Sequence, residues 1–331
     1  MLIERSDTSD PARRPVASFR TRPAIAVLLL AFCVALTVLG EYLAPGFAST
    51  SNILQLLKIA SFLGLVAMGQ TVVMLVGGID LSVAWVLTGA AVVFTNTSAG
   101  SDANAILAVS AALLVGVAAG FVNGFGVVKL SISPIVMTLA MNNIMLGVTL
   151  VYTGGSPRGS PSPFVRSIAT GSFEGIPWML VLWALLSFAV IMVTRYSRWG
   201  RRLLAVGENA RVSHLSGIDN DRIKISAYVF SGTMAALAGI VFSAFSGASF
   251  LGMGDQFLLP TIAAVVLGGT SMFGGRGGYG GTIAAVMFTT LLSTILVIGN
   301  ISAGVRNIIF GSAIIAAIVI QRLLSRGNDA T

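Results

Sequence analysis

Apolar segments of about 20 residues follow one another along almost the whole of this chain, and they constrain its fold more than any other feature. Hydrophobic residues make up 55% of the sequence and charged residues only 10%, which lies outside the range of soluble globular proteins. A bilayer core about 30 Å thick is crossed by roughly 20 helical residues. The chain is therefore predicted to be an all-α, polytopic integral membrane protein.

Glycine, proline and polar clusters divide the apolar sequence into ten segments. We expect one transmembrane domain, residues 23–322, between an N-terminal tail, 1–22, and a C-terminal tail, 323–331. At 77–82 and 273–281 apolar sequence continues on both sides, so broken or re-entrant helices stay open there. The predicted spans are 23–43, 53–76, 82–99, 104–128, 133–153, 176–194, 222–246, 256–273, 278–299 and 303–322.

The basic residues predict an orientation, since Lys and Arg accumulate on the cytoplasmic side of a membrane. With the N-terminus inside, 16 of the 20 Lys and Arg residues fall on that side. This favours an even number of spans with both termini in the cytoplasm, but it does not separate ten spans from eight. Orientation explains the net charge of +8 better than nucleic-acid binding, which is not predicted.

One long polar stretch, residues 195–224, interrupts the apolar pattern and is called the charged island here. It holds seven basic and three acidic residues, a formal charge of +4, and is longer than a helix connection needs. Leu204, Gly207, Arg211, Leu215 and Ile218 recur at helical spacing. This pattern predicts a short surface helix that packs on lipid, on the protein's own helices or on a partner.

Few polar residues fall inside the predicted spans, and a polar group in lipid must find a partner or line a wet cavity. They are interpreted as lining a polar path or as fixing a broken backbone at Gly77 and Gly78. For Asp80 the alternative is that it caps the helix that begins at Leu81 or Ser82. The candidate path residues are Gln70, Asp80, Ser82, Asn123, Asn142 and Asn143.

No constellation for chemistry is present in the sequence. The glycine run from Gly268 lacks the Gly-Lys-Ser/Thr ending of a phosphate loop, and no Ser/His/Asp set occurs. His214 is the sole histidine and Cys33 the sole cysteine, so a metal site is not predicted. We expect no catalytic residue, no metal and no cofactor in this chain.

Two segments resemble each other within the chain: TVVMLVGGIDLS from Thr71 and TIAAVVLGGTSM from Thr261. Internal duplication of helix groups is common in transporters. Twelve residues of apolar similarity leave open whether this is a true repeat.

Four blocks together resemble the permease subunits of ATP-binding-cassette (ABC) importers for monosaccharides, of the ribose, xylose and galactose type. They occur in the order found in that family and cover nearly the whole chain after the N-terminal tail. The blocks are GQTVVMLVGGIDLS from Gly69, GFVNGFGVVKLSISPIVMTLA from Gly120, GRRLLAVGENARVSHLSGIDNDRIKISAYVFSGTMAALAG from Gly200, and IAAVVLGGTSMFGGRG from Ile262.

The resemblance implies a type II ABC importer-like fold with about ten transmembrane helices and a cytoplasmic coupling helix in the charged island. By position, the residues that dock on the ATPase are Gly207, Glu208, Asn209, Ala210 and Gly217. It also implies four partners: an ATPase subunit that binds ATP, an extracytoplasmic sugar-binding protein, a second permease copy (a homodimer, or a heterodimer with a paralogue) and membrane lipid. The chain would then lie in the cytoplasmic, or inner, membrane.

Two departures leave the sugar open: Ala84 stands where many relatives have glycine, and Pro260 where ribose-type permeases carry an acidic residue. Related permeases carry branched-chain amino acids or an autoinducer. A stand-alone secondary transporter or channel is the competing class, and a membrane enzyme a further one. Too few acidic groups lie in the spans for an obvious proton relay.

Overall fold

The computed structural model describes the backbone of residues 23–328 and the side chains of residues 26–319. Within that range almost every segment is helical, which confirms the all-α fold. The predicted N-terminal tail, and the C-terminal tail from residue 329, lie outside the described residues. The helices are α1 Pro23–Leu43, α2 Thr50–Leu75, α3 Val83–Ser98, α4 Ala105–Lys129, α5 Pro134–Thr153, α6 Pro163–Thr170, α7 Trp178–Tyr196, α8 Arg198–Glu208, α9 Ala210–Leu215, α10 Asn220–Ser246, α11 Asp255–Leu267, α12 Tyr279–Ile298 and α13 Ala303–Asn328.

Each predicted span coincides with one long helix of the described chain. Seven helical segments there are long and apolar enough to cross a membrane, and α3, α11 and α13 contribute shorter apolar stretches. The last helix continues to Asn328, past the predicted start of the C-terminal tail at residue 323. Between α5 and α7, the connection 154–177 holds α6 and a strand, β1 (Ser172–Phe173), that pairs antiparallel with β2 (Ile176–Pro177).

Helices α2 and α11 end in the same way, within the two segments from Thr71 and Thr261 that resemble each other. After α2, the Gly77 N–H donates to the Met74 carbonyl at 2.9 Å and the Gly78 N–H to the Val73 carbonyl at 3.0 Å. After α11, the N–H groups of residues 269 and 270 make the same pair of bonds, at 3.0 and 3.2 Å. This is the Schellman pattern, which satisfies the last carbonyls of a helix and needs a left-handed residue such as Gly77 or Gly269. The motif ends α11 six residues before the predicted boundary.

Helices α2, α3 and α10 form the centre of the bundle. Every residue of α2 from Ala60 to Leu75 is buried. Other helices surround this stretch, which explains why it is apolar on all sides. By contrast, α5 buries only Thr138, Met141 and Thr149. Its outward side chains are mostly apolar, as expected for a helix that faces lipid or another subunit.

Glycine spacing brings α4 and α10 into backbone contact. Gly116, Gly120 and Gly124 recur every four residues on one face of α4. A Cβ atom added at Gly120 would overlap the Tyr228 carbonyl oxygen, and one at Gly116 would overlap the Gly232 carbonyl oxygen. Small residues at this spacing allow close helix packing inside a membrane. The contact holds the polar residues of α4 and α10 at a fixed distance from each other.

Replacing Gly120 with Ala tests this contact. The added methyl group would force α4 and α10 apart, at a cost of about 1–3 kcal/mol typical of overpacking, so the thermal unfolding midpoint in detergent is expected to fall. Gly147→Ala is the matched control, because no atom lies within 4 Å of a Cβ added there. We expect Gly147→Ala to leave the midpoint unchanged or raise it, since alanine favours helix. Equal loss in both variants would contradict the packing described here.

Candidate coupling element and polar membrane cluster

Helix α8, the first half of the charged island, is anchored against the ends of α2 and α10. Leu203 and Val206 are buried in a cluster that includes Val76 and Tyr228. The Trp199 indole N–H donates to the Ser226 hydroxyl at 2.8 Å. Apolar packing on the protein's own helices, one of the three open alternatives for the island, therefore applies to α8.

Helix α9, the second half of the charged island, is short and exposed, and hydrogen bonds hold it at its first turn and at Ser213. The Asn209 side-chain oxygen accepts from the N–H groups of Arg211 and Val212, both at 3.0 Å, and so caps its first turn. The Asn220 side chain donates to the Ala210 carbonyl at 2.6 Å and accepts from the buried Ser213 at 2.9 Å. These bonds tie α9 to the first residue of α10.

The outer face of α9 is apolar. Val212 is 57% exposed and Leu215 is 79% exposed, and they lie three residues apart on one side of the helix. A rigid element with an exposed apolar face is suited to docking, because no ordering cost is paid on binding.

Three glycine turns meet where α8 ends. We call Gly77, Gly207, Gly274 and Gly275 the glycine junction. The Gly275 N–H donates to the Leu75 carbonyl at 3.0 Å. A Cβ atom at Gly207 would overlap that carbonyl oxygen and lie 2.5 Å from the Gly275 nitrogen. At the glycine junction the charged island therefore approaches the end of α2 and the 268–278 turn by backbone, beside the side-chain packing of Leu203 and Val206.

The sequence-predicted docking residues divide into two groups. Gly207 is packed inside the glycine junction, whereas Glu208, Asn209 and Ala210 are exposed. Gly217 is exposed and forms the left-handed turn after α9, with φ +78°. The predicted stripe from Leu204 to Ile218 is wrong as a single helix face, because Asn209 adopts an extended backbone and separates α8 from α9.

Asp80 lies at the centre of a buried polar cluster between α2 and α3. Its Oδ1 atom accepts from the Ser82 N–H at 3.0 Å and from the Ser82 hydroxyl at 2.6 Å, and its Oδ2 atom accepts from Ser231 on α10 at 2.8 Å. The Asn123 amide on α4 donates to the Ser82 hydroxyl at 2.8 Å. The bond to the Ser82 N–H lies just before α3, so Asp80 supports the start of that helix, although α3 begins at Val83. The cluster thereby joins α3, α4 and α10.

The other path candidates are not hydrogen-bonded to this cluster. Gln70 is buried in α2, and its amide has no hydrogen-bond partner among the described residues. The Asn142 side-chain oxygen accepts from the backbone N–H of Trp85 in the first turn of α3 at 3.4 Å. Asn143 is exposed and donates to the Leu139 carbonyl of its own helix at 2.9 Å. The path role of the six candidates stays a prediction.

Asp255 lies just outside the eighth predicted span, 256–273, and the sequence pattern did not mark it as a candidate. The chain after α10 turns back along α3: the Ser249 hydroxyl lies 2.7 Å from the Thr95 hydroxyl, and the Gly254 N–H donates to Thr88 at 3.1 Å. Ten residues of α3 separate Thr88 from its end at Ser98, a rise of about 15 Å and half the thickness of a bilayer core. Helix α11 thus begins in the middle of the membrane region, and Asp255 is exposed there.

Ser231, Tyr228 and Asn220 were also overlooked. Ser231 binds the Asp80 carboxylate and the Tyr228 hydroxyl touches Gly78, but serine and tyrosine are common in helices and give no signal alone. Gly78 lies in the 77–82 segment, where the sequence leaves the helix boundaries open. A glycine there predicts that another group approaches the backbone closely but does not identify that group.

An all-α bundle with several helices long and apolar enough to cross a membrane defines a polytopic membrane protein. Comparison with known proteins then identifies the family. Residues 52–321 match the model of the branched-chain amino acid transport system / permease component family. The chain belongs to this family.

Individual relatives cover almost the full chain. The ribose import permease protein RbsC of Escherichia coli is 33% identical over 299 residues, which is 88% of this chain and 92% of that protein. The D-allose transport system permease protein AlsC of the same species is 32% identical, with 90% and 91% covered. The autoinducer 2 import system permease protein LsrC of Shigella flexneri is 33% identical, with 86% and 83% covered. No solved structure matches the chain. The sequence resemblance to sugar ABC importer permeases is confirmed.

Replacing Asp80 tests the cluster. Asp80→Leu leaves the Ser82 N–H and the Ser231 hydroxyl unpaired in a buried site, and each such group costs about 1–3 kcal/mol. We expect it to lower the thermal unfolding midpoint in detergent far more than Asp80→Asn, which keeps an oxygen for the Ser82 N–H. A similar loss in the two variants would contradict the bonding described here.

Proposed function

We propose that this chain is the membrane subunit of an ABC importer that carries a monosaccharide or a related polyol. A separate subunit hydrolyses ATP, so this chain is not itself an enzyme, and a separate extracytoplasmic protein delivers the sugar. Two copies of the permease form the membrane path in the cytoplasmic membrane, with both termini and the charged island in the cytoplasm. The family, the relatives and the charge distribution support this proposal.

One observation carries the coupling role: α9 presents Val212 and Leu215 on a helix that hydrogen bonds hold at its first turn and at Ser213. An apolar pair on a charged surface is suited to a groove on another protein. The ATPase subunit is the proposed owner of that groove.

The glycine junction is the proposed route from the ATPase to the membrane helices. Motion of α9 passes to Gly207 through α8, and Gly207 contacts the end of α2 at Leu75. Five residues further along the chain lies Asp80, whose bonds hold α3 and α10 together. ATP-driven closure of the ATPase pair thereby shifts the helices between outward and inward states.

The docking face is tested with Val212→Asp/Leu215→Asp. Two charges placed in an apolar groove remove the contact, so co-purification of the tagged permease with the ATPase encoded beside it is expected to be lost. Leu130→Asp is the control, since Leu130 is 61% exposed at the island end of α4. Normal co-purification of the double variant would refute the docking role.

Gly207→Ala tests the relay separately. The methyl group displaces α8 from the Leu75 carbonyl but leaves α9 and its exposed face unchanged. We expect the variant to retain the ATPase while ATP-dependent uptake in proteoliposomes falls about tenfold or more. In enzymes, a misplacement of 1 Å lowers the rate by about 100-fold. Ser216→Ala, an exposed change on the same segment, serves as control. Full uptake by Gly207→Ala would contradict the relay.

The cargo is tested on the partner binding protein. The named relatives carry ribose, D-allose and autoinducer 2, whereas the family description names branched-chain amino acids. We expect calorimetry to detect binding of a pentose or hexose and not of leucine. Tight, selective binding of leucine would overturn the sugar assignment and leave the importer assignment intact.

An autonomous secondary transporter is the second candidate. It predicts uptake by this chain alone in liposomes with an ion gradient and no ATPase. The anchored island argues against it, because an ion-driven carrier needs no docking element. Ion-driven uptake by the purified chain would replace the proposal.

A further inference from the structure

We propose that Asp255, Trp85 and Asn142 form a sugar contact halfway through the membrane, on the path of the transported molecule. This inference rests on the proposed function but concerns residues that neither the family nor the relatives assign. It starts from the depth and the exposure of Asp255.

Asp255 is placed in the middle of the membrane region by α3. The segment from Ser249 to Gly254 runs inward along α3 from Thr95 to Thr88, and a Cβ atom at Gly254 would overlap the Ala84 carbonyl oxygen. Exposure of a carboxylate to hydrocarbon at this depth is strongly unfavourable. The side chain of Asp255 is nevertheless exposed. Its surroundings must therefore be wet, and the exposed side of α11 faces a water-filled path.

Trp85 and Asn142 extend this polar site onto two further helices. The Trp85 indole lies within hydrogen-bonding reach of the Asp255 carboxylate, and only 8% of Trp85 is exposed. Asn142 lies in the middle of α5, and its side-chain oxygen accepts from the backbone N–H of Trp85 at 3.4 Å. Asn142 on α5 and Asp255 on α11 therefore both lie beside Trp85 in the first turn of α3.

Pro260 adds an acceptor at the same place. It is the sixth residue of α11 and has no N–H, so the Gln256 carbonyl lacks its usual donor one turn ahead. A helix that begins at mid-membrane and has a proline in its second turn resembles the half-helices at the binding sites of transporters.

The chemistry of this site fits a neutral polyhydroxylated molecule. A carboxylate accepts from hydroxyl groups, an amide both donates and accepts, and the indole N–H beside the carboxylate holds it in place. No basic side chain contacts Asp255 among the described residues, so a carboxylate-bearing cargo is disfavoured there. The ligand class that follows is a pentose or hexose.

Water access at this level is tested with a single reporter cysteine in the full chain in lipid nanodiscs. The background is Cys33→Ser, and the reporter is Gln256→Cys, next to an intact Asp255. A charged methanethiosulfonate reagent reacts with a thiolate, which forms in water but not in lipid. We expect Gln256→Cys to react about 100-fold faster than Leu185→Cys, an exposed position midway along α7. Equal rates at the two positions would overturn the water-filled path.

Sugar contact is tested by protection of the same reporter. D-ribose, D-allose and L-leucine are added separately at equal concentrations, and at least one of the two sugars is expected to slow the modification. Asp255→Asn in the reporter background should raise the sugar concentration needed for half protection about tenfold, as expected for one charge-assisted hydrogen bond. Trp85→Phe should raise it too, because it removes the indole N–H beside the Asp255 carboxylate. Protection unchanged by either variant, protection by leucine alone, or no protection by any of the three overturns the sugar contact.

The two proposals fail in different ways. If the reporter reacts quickly but no sugar protects it, the sugar contact fails while ATPase co-purification still supports the importer. If the ATPase does not co-purify but sugar protects the reporter, the contact stands in a transporter of another class.

Discussion

Backbone contact at the glycine junction determines where the charged island lies relative to the membrane helices. The Leu75 carbonyl, already at the end of α2, accepts the Gly275 N–H, and Gly207 fits between them only because it has no side chain. Any larger residue would separate the island from the bundle. The packing of Leu203 and Val206 beneath α8 depends on the same closeness. The apolar side chains of α8 are used in this packing, whereas Val212 and Leu215 of α9 stay exposed.

The Asp80 cluster meets the other main demand on the fold, that polar groups in a membrane be paired. One carboxylate accepts three hydrogen bonds and so compensates for its own burial while it joins helices distant in sequence. Its position shortly after Gly77 places it within one loop of the junction. The two features are adjacent along the chain and connect the island end of the bundle with its interior.

Much of this architecture follows from the sequence. Apolar segments of membrane length predict the long helices, and Asp80 with Ser82 was recognisable as a polar group that needs partners. The prediction of one helix face through Leu204 and Leu215 is wrong, because the spacing of apolar residues does not show that Asn209 ends α8 and caps α9. Asp255 was missed because hydropathy places the start of a helix but not its depth; only the bonds of Ser249 and Gly254 to α3 reveal how far inside it begins. Partners on other helices, such as Ser231, depend on three-dimensional packing that no local pattern records.

The two hydrogen bonds of the Asn220 side chain to α9 have a mechanical consequence. Because Asn220 is the first residue of α10 and binds both Ala210 and Ser213, α9 and α10 form one angled lever. Helix α10 has 27 residues and is therefore about 40 Å long. Because the glycine contacts to α4 lie in the first half of α10, a rotation about them would move the far end of α10 as well as α9.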